Sequence, residues 1–260
     1  MGHPTWLSAL LEHRCEPSHW KCKYSRVSHE DYFLMAESRV ATTPPIARAR
    51  AWEPASLALI CGYVDSFTLS TFGVYASFMS GNTTKTGLQT GLGNFAQAGH
   101  NLLPIPLFVL GVFIGTLLAH SSPRHMLRRP LFIVAGLLAA SVVFVYVSAP
   151  VWLCIAVLSM AMGIMNTTVT HLGGQHLSVG FVTGDLNSVA QHLALAVKRE
   201  PLAEAEGPWD THWRRAGVLT GIWSAFLLGA VLGAALMPRF GIATLALPLV
   251  LLVGLAAKSR

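Results

Sequence analysis

Asp65 is the side chain of this sequence placed where an ionisable group costs most. It lies inside an apolar run, Ala55 to Phe72, that holds no other Asp, Glu, Lys or Arg. A carboxylate in such a run faces a cavity, finds a partner or takes up a proton. The functional reading is a protonatable or cation-binding group. The structural alternative is a hydrogen bond to Ser66, Thr68 or a neighbouring helix.

Shortly after Asp65 comes Ser77-Phe78-Met79-Ser80-Gly81-Asn82-Thr83-Thr84, and a relative returns as Gly180-Phe181-Val182-Thr183-Gly184-Asp185-Leu186-Asn187. Both read small, Phe, apolar, hydroxyl, Gly, Asn or Asp. Asn82 and Thr83 offer donors and acceptors after Gly81, and Asp185 does the same after Gly184. If each motif starts a half-helix, free backbone N–H groups and the dipole favour anionic groups there. Asp185 opposes an anion at its own end, and plain N-capping explains the same residues. His171, His176 and His192 surround the second motif and can form a proton relay or simply sit at an interface.

Other chemistry finds less support. Asp65 and Asp185 suggest an intramembrane aspartyl protease only if both carboxylates share one depth and one proton. Asp185 is expected at the membrane face, so no enzyme and no catalytic residue is expected. Cys15 and Cys22, with His13, His19 and His29, are zinc-type ligands, but their spacing matches no standard site. No ATP-binding loop is present. No cofactor or metal is expected.

The elements that must position these residues are apolar. The chain of 260 residues is 53% hydrophobic and only 12% charged, against roughly 25% charged in soluble domains. Leu131 to Thr170 is forty residues without a charged side chain, and Ala216 to Pro238 is twenty-three more. A spanning helix needs about 20 apolar residues. The expected spans are 55–72, 102–119, 131–148, 151–170, 216–237 and 242–257, with Pro150 forcing a hairpin inside the forty-residue run. A short amphipathic helix is expected over 186–197. Residues 1–54 read as a polar, disordered tail.

The net charge of +6 does not indicate nucleic acid, because no basic stripe is interleaved with aromatics. Lys and Arg instead sort by side. With the N-terminus inside, twelve (from Arg39 to Arg260) lie on the cytoplasmic side and two, Lys85 and Arg239, lie opposite. That asymmetry predicts six spans with both termini cytoplasmic in a membrane the sequence does not name.

The halves also resemble each other. Phe108 to Gly115 aligns with Phe226 to Gly233, so Gly111 and Gly115 match Gly229 and Gly233. Such spacing lets helices pack closely in lipid and is also compatible with a homo-oligomer. Gly62 to Asp65 aligns with Gly163 to Asn166, so Asn166 is the non-ionisable mate of Asp65. Three spans per half, over 55–149 and 150–260, put the second half upside down. The expected fold is an all-α membrane protein built as a 3+3 inverted repeat, an architecture of many secondary transporters.

Gly62-Tyr63-Val64-Asp65, Phe78 to Thr83 and Thr183-Gly184-Asp185 together resemble the YoaK-like family of polytopic membrane proteins, over residues 55–257. The resemblance implies an integral membrane protein with no assigned substrate. The long tail and the polar insert from Glu200 to Asp210 depart from the compact pattern. The leading expectation is a secondary transporter or permease for a small solute, with proton coupling through Asp65 open. The partners expected are the lipid bilayer and that solute. The alternative is a non-transporting membrane scaffold or assembly factor.

Overall fold

A computed structural model describes residues 52–121, 128–168, 171–172, 175–176, 182–202, 205 and 207–258. The chain divides into units Met1–Ile46 and Ala47–Arg260, and every described residue belongs to the second. The tail with Cys15 and Cys22, and the loop at Arg124, lie outside the described residues.

The described chain is helical. In order come α1 (Trp52–Phe72), α2 (Met79–Gly91), α3 (Phe95–Leu102), α4 (Pro104–Ser121), α5 (Arg128–Tyr146), α6 (Val151–Asn166), α7 (Val182–Lys198), α8 (His212–Phe240) and α9 (Ala246–Lys258). A 3₁₀ turn, Gly241–Leu245, links α8 to α9. Between α6 and α7 two short strands, β1 (His171–Leu172) and β2 (Gln175–His176), pair antiparallel with His171 opposite His176.

Four described stretches are long and apolar enough to cross a membrane: Trp52–Phe72, Phe95–Ala119, Arg128–Tyr146 and His212–Lys258. The last is 47 residues long, about twice what one crossing needs. It breaks at Gly241, whose φ of 53° suits glycine. The fourth apolar run forms a helix of only 16 residues, α6, because Asn166 ends it where a span to Thr170 was expected. At 1.5 Å per residue α6 is about 24 Å long, short of a hydrocarbon core of about 30 Å.

The core centres on α1 and α6. Leu57, Ile60, Tyr63, Val64 and Phe67 of α1 are buried, as are Ile155, Leu158, Met162 and Met165 of α6. By contrast α4 and α8 expose matching apolar positions: Val109 and Leu227, Leu110 and Leu228, Phe113 and Val231. Apolar side chains turned outward on apolar helices are what lipid requires.

Glycine sets two close helix contacts. Where α1 meets α8, a Cβ on Gly62 would collide with the carbonyl of Phe226, and one on Gly229 with the carbonyl of Leu59; a Cβ on Gly233 would lie 2.6 Å from the oxygen of Tyr63. Where α4 meets α6, a Cβ on Gly163 would collide with the carbonyl of Phe108, one on Gly111 with the carbonyl of Met160, and one on Gly115 with Thr167 Oγ1 and the backbone of Ile164. Only glycine permits backbones this close. The four packing glycines expected from sequence therefore hold two helix pairs.

Candidate functional site

Asp65 is 4% exposed and sits late in α1. The chain leaves α1 at Gly73, where φ is 71°, and folds back through 74–78. That return brings Ser77 onto the carboxylate. The Ser77 N–H donates to Oδ1 at 2.7 Å and the Ser77 hydroxyl donates to Oδ2 at 2.6 Å. These donors suit an ionised carboxylate, which accepts only, and they offset part of the cost of burying it. The partner is therefore a turn twelve residues downstream, in place of the Ser66 or Thr68 side chain; the Thr68 hydroxyl bonds the Asp65 backbone carbonyl instead.

The first motif wraps the same turn. Asn82 is fully buried; its Oδ1 accepts from the Tyr75 N–H at 3.0 Å and its Nδ2 donates to the Tyr75 carbonyl at 2.7 Å. Gly81 lies under the edge-to-face pair of Tyr75 and Phe78, whose rings are 5.2 Å apart. A Cβ there would sit 2.9 Å from the Tyr75 ring and closer to Phe78. The α2 helix begins at Met79 with Phe78 in the capping position and no side-chain cap. The motif therefore does open a helix, with Gly81 in its first turn, but neither Asn82 nor Thr83 is its N-cap. Thr83 is exposed, and its hydroxyl donates to Met79 O at 2.9 Å.

Two side chains close the C-terminal end of α1. Lys85 Nζ donates to the Gly73 carbonyl, and His100 Nε2 bonds the Phe72 carbonyl at 2.8 Å. Those carbonyls carry the negative end of the helix dipole. Neither role was legible from sequence, because both partners lie across a turn of undetermined shape.

The second motif is built differently. Gly184 and Asp185 lie in the first turn of α7. Asp185 is 6% exposed, and burial pushes its carboxyl up to about 6. Asn166 is the last residue of α6, and the Thr167 and Thr168 hydroxyls bond the Ile164 and Met165 carbonyls just behind it. The side chains of His171 and His176 lie outside the described residues. His192 faces His212 of α8, Nδ1 to Nδ1 at 2.8 Å, a residue the sequence reading passed over. Beside them Arg215 and Asp210 form a buried, two-pronged ion pair at 2.7 and 3.1 Å.

Asp65, Ser77, Gly81 and Asn82 thus form one cluster, and Asp185 with Gly184 belongs to another. Asn101, 1% exposed in α3, has neither amide atom paired among the described residues, and neither does the buried Ser159 hydroxyl of α6.

These two clusters lie within residues 54–257, the span matched by the model of a family described as "Protein of unknown function (DUF1275)". The chain belongs to that family. It is 28% identical over 187 residues to the UPF0700 transmembrane protein RA0705 of Rhizobium meliloti (strain 1021), covering 72% of this chain and 76% of that one. It is 26% identical over 226 residues to the UPF0700 transmembrane protein YoaK of Bacillus subtilis (strain 168), covering 82% of this chain and 96% of that one. The YoaK-like resemblance read from the motifs therefore holds, and the protein is an integral membrane protein. No solved structure matches the chain.

Proposed function

We propose that this protein is a secondary transporter or permease for a small solute, built as a 3+3 inverted repeat with both termini cytoplasmic. One observation carries the reading. The contacts of α1 with α8 recur, residue for residue, between α6 and α4: Gly62 on Phe226 matches Gly163 on Phe108, Gly229 on Leu59 matches Gly111 on Met160, and Gly233 on Tyr63 matches Gly115 on Ile164. A constant step of 101 relates α1 to α6, and one of 118 relates α4 to α8. From Leu59–Gly229 to Ser66–Gly233, and from Met160–Gly111 to Thr167–Gly115, the numbers rise together, so partners run parallel, as the six-span reading requires. Inverted halves of this kind place a solute site at their interface. Asn101 and Ser159 supply buried groups with no partner among the described residues, as a solute that hydrogen-bonds would require.

A second reading, a membrane scaffold, draws on Asp65. Its carboxylate is already engaged by Ser77, as a structural group would be. The test is a small-metabolite stability screen on the purified protein in lipid nanodiscs, wild type beside Asn101→Ala. A ligand at a hundred times its dissociation constant stabilises by about 2.7 kcal/mol. A stabilising metabolite whose effect is lost in the variant, and which crosses liposome membranes with the protein, supports transport. No metabolite stabilising either protein supports the scaffold.

A further inference from the structure

The repeat correspondence pairs Asn82 of α2 with Asp185 of α7. Seven residues along each helix it pairs Gln89 with His192, and the step that relates α4 to α8 pairs Asn94 with His212. Within each half the two residues so related are hydrogen-bonded to each other. Asn94 Nδ2 donates to Gln89 Oε1 at 3.0 Å, tying α2 to the cap of α3. The Nδ1 atoms of His192 and His212 meet at 2.8 Å, tying α7 to the start of α8. The first half has amides where the second has groups that titrate. Amides gain no proton in the physiological range, whereas imidazoles do.

The geometry limits how many protons the pair holds. Two Nδ1 atoms at this distance need one donor and one acceptor, so a single proton lies between neutral rings. One added proton attaches at an Nε2 and leaves that bond intact. A second sets two N–H donors and two positive charges face to face, and the contact must open. His212 is buried and its Nε2 has no partner among the described residues. Around His192 stand His212 and Arg215, which oppose its charge, and Asp210, which favours it; burial, His212 and Arg215 outweigh Asp210 and hold the ring below its usual range. Asp185 lies two turns back on the same face of α7.

We propose that the His192–His212 pair is a proton-binding site that clamps α7 to α8 when neutral or singly protonated and releases α7 on full protonation. The pair itself stands on its geometry; its contrast with Gln89–Asn94 rests on the repeat reading, and neither requires transport. The test is hydrogen–deuterium exchange of the full chain in nanodiscs at about pH 7.5 and about pH 5, corrected for intrinsic rates. Loss of one hydrogen bond gives roughly fivefold faster exchange, expected in 182–198 at the lower pH and absent in 79–91. The variant His192→Gln/His212→Asn, which copies the amide pair, is expected to lose the response while keeping its stability at pH 7.5. His192→Gln alone, able to keep one bond to His212, is expected to do the same if the double variant fails to fold. The proposal is overturned if wild-type α7 does not respond, if the histidine variants still respond, or if Asp185→Asn alone removes the response. A protein that carries no solute yet shows the response refutes the transporter and not the clamp.

Discussion

Replacing Gly62 or Gly163 by alanine tests the packing that the proposed repeat rests on. A Cβ on Gly62 would lie 2.9 Å from the carbonyl carbon of Phe226 and 3.1 Å from the nitrogen of Ala230; on Gly163 it would lie 2.9 Å from the nitrogen of Val112. Carbon contacts are comfortable near 3.5 Å, so the helices must separate by about 0.6 Å or more, and backbone cannot rotate away as a side chain can. A gap of roughly 0.5–1 Å forfeits a quarter to a half of each contact, each worth about 0.1–0.2 kcal/mol. Over roughly forty atom pairs the loss is about 2–3 kcal/mol, within the usual cost of overpacking. Alanine returns up to about 1 kcal/mol of helix propensity, leaving a net cost of about 1–2 kcal/mol. At Gly136 a Cβ meets nothing within 4 Å, so Gly136→Ala gains only the propensity and is the control. Equilibrium unfolding in mixed micelles, followed by circular dichroism, should place both Gly62→Ala and Gly163→Ala about 2–3 kcal/mol below Gly136→Ala. Either variant within about 0.5 kcal/mol of the control would refute the close contact at that helix pair.

Ser77→Ala and Asp65→Asn should each cost about 1.5–3 kcal/mol, the range for hydrogen bonds to a charged group. Their double-mutant cycle should show coupling above about 1 kcal/mol; additivity within about 0.5 kcal/mol would remove Ser77 as the partner of Asp65. Asp185→Asn should change stability with pH in a fixed direction. The folded-state carboxyl titrates at about 6, above its ordinary 3.8, so between those values the unfolded chain ionises first. Wild type therefore loses stability as pH rises through that window, and the variant does not. The variant should gain on the order of 2–3 kcal/mol over wild type near pH 7.5 and almost nothing near pH 3. An equal gain at both pH values in unfolding experiments would show that the carboxyl is not held up by burial.

Membrane class and the positions of the apolar runs followed from sequence, because burial in lipid demands long stretches without charge and such stretches are readable in one dimension. Gly111, Gly115, Gly229 and Gly233 were legible for a similar reason: close helix packing needs small residues at helical spacing, and the two halves repeat that spacing. The role of Asp65 was not legible. Its partner is decided by how 73–78 turns back, and a turn of that length has many shapes until Asn82 and the aromatic pair Tyr75–Phe78 pin it. Thr83 was singled out by its place in a motif, yet helix phase turns it outward. His212 went unnoticed because it meets His192 only when α7 folds along α8, across the insert that holds Asp210. Sequence periodicity determines which face of a helix is apolar and where glycines recur. Which polar side chains meet depends on turn shape and helix phase together, and those were decided by the tertiary packing alone.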